Sequence, residues 1–161
     1  MQPRKPESGP PISAALKPHL LGLRHVGHVV DDVDRAIADF RRVYGLSPED
    51  VQRLPDQGAQ TLARFAFVRV AGAEFELIEP VSEGQKQLLL GAPSGGGGIN
   101  HVAWSVRDLD GALAALAAQG ITPGWVTPGG PAELPDKRLV YLDPATTGGL
   151  LIELVEDHAG T

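Results

Sequence analysis

His25-Val-Gly-His-Val-Val-Asp-Asp-Val-Asp-Arg-Ala-Ile-Ala38 returns 76 residues later, without a gap, as His101-Val-Ala-Trp-Ser-Val-Arg-Asp-Leu-Asp-Gly-Ala-Leu-Ala114. Each copy leads to a second shared pattern. Glu76-Leu-Ile-Glu79 in the first half matches Glu153-Leu-Val-Glu156 in the second, at an offset of 77. The chain is therefore an internal duplication. Each half offers one His on its first strand and one Glu on its last. Two imidazoles and two carboxylates at equivalent positions suggest a four-ligand metal site between the halves.

Around these patterns the order of elements is the same in both halves. Leu23–Val30 is a β-rich run. Asp31 and Asp32 suit a helix N-cap, and Val33, Ala36, Ile37, Phe40, Val43 and Tyr44 recur at helical spacing until Gly45. Leu46–Arg53 is extended but interrupted by Pro48. Leu62–Val70 and Ala73–Glu79 form strands around the turn Ala71-Gly72. The second half gives strand Ile99–Val106, helix Asp108–Gln119 closed by Gly120, then strands Trp125–Thr127, Arg138–Leu142 and Gly149–Val155. Residues 1–21 read as a tail broken by Pro3, Pro6, Pro10 and Pro11, with a helical turn over Ala14–Leu21 interrupted by Pro18. Residues 22–157 make one domain: a βαβββ module over 22–80, a linker over 81–98 with a short helix at Gln85–Leu90, and a βαβββ module over 99–157. The expected class is α+β. The modules should pair through their first and last strands into a curved eight-stranded mixed sheet with helices outside.

Strand alternation predicts where the four residues point. Leu23, His25, Gly27 and Val29 share one face, as do Ile99, His101, Ala103 and Ser105. Glu76 lies with Glu74 and Ile78, and Glu153 with Leu151 and Val155. Phe75, Leu77, Trp104, Val106, Ile152 and Leu154 fall on the opposite faces, against the helices. All four candidate ligands thus share the helix-free, concave side. His28 points to the helix face and is read as structural. Glu79 and Glu156 are read as surface or rim residues, and His19 and His158 as solvated. Arg64 and Arg69 differ in parity, so at most one faces the cup.

Bulk properties narrow the function. The chain has 161 residues, a net charge of −6 and no cysteine. The acidic balance argues against nucleic acid or an anionic membrane as partner. Thiolate metal sites and disulfides are excluded. No apolar run approaches a membrane span and no apolar signal core stands at the N-terminus, so a cytoplasmic location is expected. Gly95–Gly98 precedes neither Lys-Ser/Thr nor a helix and does not read as a phosphate loop.

The motifs Arg24-His25-Val26-Gly27, Glu76-Leu-Ile-Glu-Pro80, Ile99-Asn-His-Val-Ala-Trp104 and Asp143-Pro-Ala-Thr-Thr-Gly-Gly-Leu-Leu-Ile-Glu-Leu-Val-Glu156 resemble the vicinal oxygen chelate (glyoxalase/bleomycin resistance/dioxygenase) superfamily. Within it they are most similar to the methylmalonyl-CoA epimerases. The resemblance covers roughly Leu23 to Glu156. It implies that His25, Glu76, His101 and Glu153 hold one divalent ion (Co, Ni, Zn, Mn or Fe). It also implies a homodimer and a small-molecule substrate, an acyl-CoA or another enolisable carbonyl compound. The implied reaction is epimerisation: the α-proton leaves while the ion stabilises the enolate, and Glu153 or Glu76 takes and returns it. A glyoxalase-type isomerase or lyase shares this ligand set. A drug-binding resistance protein or an extradiol dioxygenase fits it less well. Two departures are visible. In Gln57-Gly58-Ala59-Gln60-Thr61, Thr61 stands where such epimerases can carry a second catalytic Glu. Gly130-Pro-Ala-Glu-Leu-Pro-Asp-Lys-Arg138 replaces a loop of the type Gly-Ala-His-Gly-Lys. With Thr61 unable to act as a base, proton transfer is expected to lean on Glu153, Glu76 mainly holding the metal.

Overall fold

The structure is a computed structural model that describes residues 13–56 and 58–159. Two βαβββ units form one sheet. The first comprises β1 (Leu20–Val29), α2 (Val33–Tyr44), β2 (Val51–Arg53), β3 (Ala63–Val70) and β4 (Ala73–Pro80). The second comprises β5 (Gly98–Val106), α4 (Leu109–Ala117), β6 (Ala132–Glu133), β7 (Lys137–Tyr141) and β8 (Ile152–Asp157). A four-residue helix α1 (Ser13–Leu16) precedes β1, and α3 (Glu83–Leu90) lies in the linker. Strand order is β2-β3-β4-β1-β5-β8-β7-β6. The halves therefore join through β1 and β5 alone, antiparallel. The last strands β4 and β8 pair parallel to the first strand of their own half, which corrects the expected junction.

The duplicated capping signal is used twice. Asp32 accepts the N–H of Arg35, and Asp108 accepts the N–H of Gly111, both at 2.9 Å. Both helices thus begin where a side-chain oxygen satisfies an orphan donor. Glu79 adds to the first start by accepting the N–H of Val33 at 3.0 Å, and it binds Arg64 on its other oxygen at 2.8 Å. Its counterpart Glu156 lies 3.4 Å from Arg138.

The helix faces carry the core. Val33 and Ile37 of α2 pack on Ala66, Val68 and Leu77. Leu109, Ala112 and Leu116 of α4 pack on Val106, Val140 and Leu154, with Trp104 and Ile152 alongside. Phe75 meets Phe40 of α2 edge-on at 5.3 Å. The parity reading holds for these residues. Ala15, Leu16 and Leu20 join the α4 cluster, so the turn read over Ala14–Leu21 packs on the domain. Residues 1–12 lie outside the described part.

α3 behaves differently from α2 and α4. Its Leu89 packs on Val29, Ala63, Ile78 and Phe65, which belong to the concave side. It closes one end of the cup and is not outside it. The loop at Trp125–Thr127, expected to be a strand, serves that closure. Trp125 donates its indole N–H to Leu88 O at 3.3 Å. The Thr127 hydroxyl accepts the N–H of Tyr141 at 2.9 Å, where a strand would have offered a carbonyl. Pro128 and Pro131 supply no N–H, so ladder pairing with β7 resumes only at Ala132–Glu133. No helix among the described residues is long and apolar enough to cross a membrane.

Two irregularities in the central seam change the faces of particular residues. Leu23 pairs with Trp104 and His25 with Ala103, leaving Arg24 as an extra residue on β1. Gly27 pairs with His101 and His28 with Ile99, leaving Asn100 extra on β5. Each extra residue flips the parity on its far side. Leu23 and Ile99, expected beside the histidines, therefore share the helix side with Trp104 and His28, and both are exposed. Truncating Leu154, fully buried under α4, is expected to cost about 2–5 kcal/mol. Truncating Leu23 should stay within about 0.5 kcal/mol, as for a surface residue. Chemical denaturation of Leu154→Ala and Leu23→Ala checks the pair.

Candidate metal centre

The seam register sets the histidines. Gly27 lies opposite His101, and a Cβ there would sit 2.1–2.6 Å from three atoms of the His101 ring. The ring thus lies directly over a residue that must be glycine. His25 and His101 meet with their Nε2 atoms 3.1 Å apart. β4 brings Glu76 beside Gly27, and β8 brings Glu153 beside Ala103. Glu76 Oε2 is 3.4 Å from both Nε2 atoms. Glu153 Oε2 is 3.2 Å from His25 Nε2 and 3.3 Å from His101 Nε2. His25, Glu76 and His101 donors lie within 4.8 Å of one another, and Glu153 flanks the same histidine pair. All four residues singled out from the repeat are therefore together.

These separations suit one ion. Ligand bonds of about 2.0–2.2 Å put neighbouring donors roughly 3.0–3.5 Å apart. The electrostatics point the same way. Burial pulls the His25 pKa down, but hydrogen bonds and charge from Glu153 and Glu76 outweigh it and carry it up to about 9. His101 is raised by the same balance. Burial pushes Glu76 up, yet the two histidines bring it down to about 2. Glu153 is likewise lowered, with Glu76 opposing. The pocket thus holds two ionised carboxylates, Glu153 buried and Glu76 partly so, which favour positive charge between them. Glu153 Oε2 is also a buried oxygen without a hydrogen-bond donor among the described residues. The His/Glu/His/Glu set fits a borderline divalent cation.

Residues that the sequence did not single out complete the surroundings. Phe67, opposite Glu76 on β3, meets the His25 ring edge-on at 5.8 Å. Tyr141, opposite Glu153 on β7, meets the His101 ring edge-on at 5.3 Å. Burial first, then the charges of Glu153 and Glu76, keep the Tyr141 hydroxyl protonated with a pKa well above its usual value. These two aromatics are themselves a duplicated feature, but finding them needs the hairpin registers. Arg24 and Asn100 line the cavity because the two strand irregularities bring them there. Asn100 Oδ1 lies 3.0 Å from His101 Nδ1.

The cavity measures about 630 Å³ and is polarised. Towards α3 it is walled by Phe65, Ile78, Leu88, Leu89 and Trp125. At the other end of β1, Arg24, Asp136 and Lys137 line it, and Arg24 binds Asp157 at 2.8 Å. Thr61 is not among the lining residues; its N–H bonds to Gly58 O at 3.1 Å. Gln57 lies outside the described residues. Glu133 is held by Arg138 at 2.6 Å on the exposed β6 edge. His28 sits on the helix side, 6.2 Å from Phe40. Arg69 pairs in register with Glu74 on the concave face, whereas Arg64 is engaged by Asp56 and Glu79.

A duplicated βαβββ sheet with four donors in its hollow defines a class. Residues 24–141 match the glyoxalase/bleomycin resistance protein/dioxygenase superfamily, and the chain belongs to it. An ethylmalonyl-CoA/methylmalonyl-CoA epimerase of Cereibacter sphaeroides is 28% identical over 134 residues, spanning 82% of this chain and 95% of its own. A 2-epi-5-epi-valiolone epimerase of Actinomyces sp is 30% identical over 159 residues, spanning 89% and 83%. The crystal structure of methylmalonyl-CoA epimerase from Mycobacterium tuberculosis matches with a TM-score of 0.65 at 28% identity, covering 86% of this chain and 89% of that one.

Gly27→Ala is expected to push the His101 ring aside. Cobalt(II) affinity, measured by competition with a chelator, should fall by about tenfold or more, the scale seen when the groups supporting a ligand are lost.

Proposed function

We propose that this chain is a metal-dependent epimerase of an acyl-CoA thioester. The observation that carries the proposal is the meeting of His25, Glu76, His101 and Glu153 at one point of a cavity. It is supported by the identity to the Cereibacter ethylmalonyl-CoA/methylmalonyl-CoA epimerase along 95% of that protein. A divalent ion (Co, Ni, Zn, Mn or Fe(II)) held by these four donors supplies Lewis acidity at the substrate carbonyl oxygen.

The chain's own residues do the rest. Glu153 is ionised at neutral pH and buried, and its Oε2 lies 3.2 and 3.3 Å from the two histidine Nε2 atoms. It takes the proton from the carbon next to the carbonyl, and inversion follows when a proton is delivered to the opposite face of the planar enolate. Glu76, also lowered by the two histidines, serves mainly to hold the ion. The wall of Phe65, Ile78, Leu88 and Trp125 excludes water from that end, which strengthens every charge interaction inside. Arg24 and Lys137, paired with Asp157 and Asp136, make the other end polar and charged, suited to a polar part of the substrate.

A second substrate class, a polyhydroxylated cyclic ketone, is favoured by the 30% identity to the valiolone epimerase and by Thr61 at the position of a second carboxylate. The chemistry is shared, since both substrates lose and regain a proton beside a carbonyl. Solvent-deuterium exchange over methylmalonyl-CoA, a hydroxylated cyclohexanone and a hemithioacetal separates them. Turnover of the hemithioacetal alone would replace the epimerase with a glyoxalase-type reaction.

Glu153→Gln should keep bound metal and lose exchange by about two orders of magnitude or more, the scale of a lost general base. Glu76→Gln should be milder in exchange and show its effect in metal affinity. Exchange at the parent rate in metal-loaded Glu153→Gln places the base elsewhere. A cytoplasmic homodimer accompanies this proposal; light scattering at micromolar concentration should give twice the chain mass, and a monomer overturns the dimer.

A further inference from the structure

We infer that Asn100 has two tasks at the metal centre. Its side-chain oxygen holds His101 in the tautomer that faces the ion, and its amide nitrogen donates a hydrogen bond to an oxygen of the substrate. The inference rests on the metal-centre reading above and adds to it a residue that contacts substrate.

Strand alternation alone would turn Asn100 away from the cup. It enters because β5 carries one residue more than β1 between the pairs Gly27–His101 and His28–Ile99. Irregularities of this kind re-aim a side chain beside a functional site. Asn100 is buried at 6% exposure and lines the cavity. Its Oδ1 lies 3.0 Å from His101 Nδ1.

The orientation of the amide follows from His101. Its Nε2 lies among His25 Nε2, Glu76 Oε2 and Glu153 Oε2, where an ion needs a lone pair. A neutral imidazole with its lone pair on Nε2 carries its proton on Nδ1. That proton needs an acceptor, so the Asn100 oxygen must face it. The Nδ2 group is then turned away from His101. It is a buried donor with no acceptor among the described residues. A buried unpaired donor is costly, and folded proteins rarely keep one without a purpose. Asn100 precedes His101 on β5 and so lies on the α3 side of the ion, towards the apolar wall of Leu89 and Trp125. Among the described residues no oxygen lies within hydrogen-bond reach of that nitrogen. A carbonyl, carboxylate or hydroxyl oxygen of a bound ligand next to the ion would accept this N–H.

The two tasks can be separated with cobalt(II) and malonate, the latter a 1,3-dicarboxylate probe that needs no turnover. Cobalt affinity is measured by chelator competition, and malonate affinity from the visible cobalt spectrum of saturated protein. Asn100→Leu removes both acceptor and donor while keeping the branching and the number of side-chain heavy atoms. Cobalt affinity should fall tenfold to a hundredfold, and malonate affinity of the cobalt-saturated variant should fall at least tenfold. Asn100→Asp restores an acceptor for His101, and cobalt affinity should return to within threefold of the parent or exceed it. Asn100→Ala replaces the Leu variant if that one fails to fold. Unchanged cobalt affinity in Asn100→Leu, or no recovery in Asn100→Asp, overturns the positioning role. Unchanged malonate affinity in cobalt-saturated Asn100→Leu overturns the donor role. If the parent protein takes up no cobalt, the metal-centre reading falls and the role of Asn100 falls with it. Cobalt uptake by the parent confines any failure to Asn100.

Discussion

Two imidazole nitrogens held 3.1 Å apart between the carboxylates of Glu76 and Glu153 are what the remainder of the molecule supports. Four ionisable groups out of water are expensive to assemble, and their mutual attraction repays the cost only when the geometry is held. Here each group sits on a central strand, not on a loop. The four strands β4, β1, β5 and β8 are contiguous, so their positions are set by ladder hydrogen bonds. Such placement on regular elements is how a site keeps its geometry before a ligand arrives.

The duplication explains why so small a domain can build this. One βαβββ unit carries a single His and a single Glu, and it leaves the concave face of its sheet uncovered. Pairing β1 with β5 supplies the missing half of the ligand set and the missing wall together. The aromatic partners follow the same symmetry, Phe67 against His25 and Tyr141 against His101. Where the halves differ, the difference is chemical. Phe67 is inert, whereas the Tyr141 hydroxyl is turned to Glu153. That asymmetry distinguishes the two carboxylates more clearly than their positions in the repeat do.

Symmetry is also broken by the linker. α3, in the linker, closes one end of the cup with help from Trp125. The result is a cavity with an apolar end, the four donors in the middle and a charged end.

Much of this was legible from the residues alone. The repeat, the Asp caps, Gly45 as helix stop and the alternation around Leu77, Val106 and Leu154 determined the elements, their faces and the four donors, because each rests on short-range periodicity or on identity between the halves. The tertiary structure decided what depends on a partner strand. An extra residue at Arg24 and another at Asn100 leave no local mark in the sequence, since an irregularity exists only relative to the strand opposite. Yet each reverses side-chain direction beyond it, sending Leu23 and Ile99 to the helix side and bringing Arg24 and Asn100 to the cup. The same holds for Trp125–Thr127, whose β-like composition was overridden by the bond to Leu88 and by neighbouring prolines. Periodicity is written along one strand; the pairing that gives it a second meaning forms only when the halves meet.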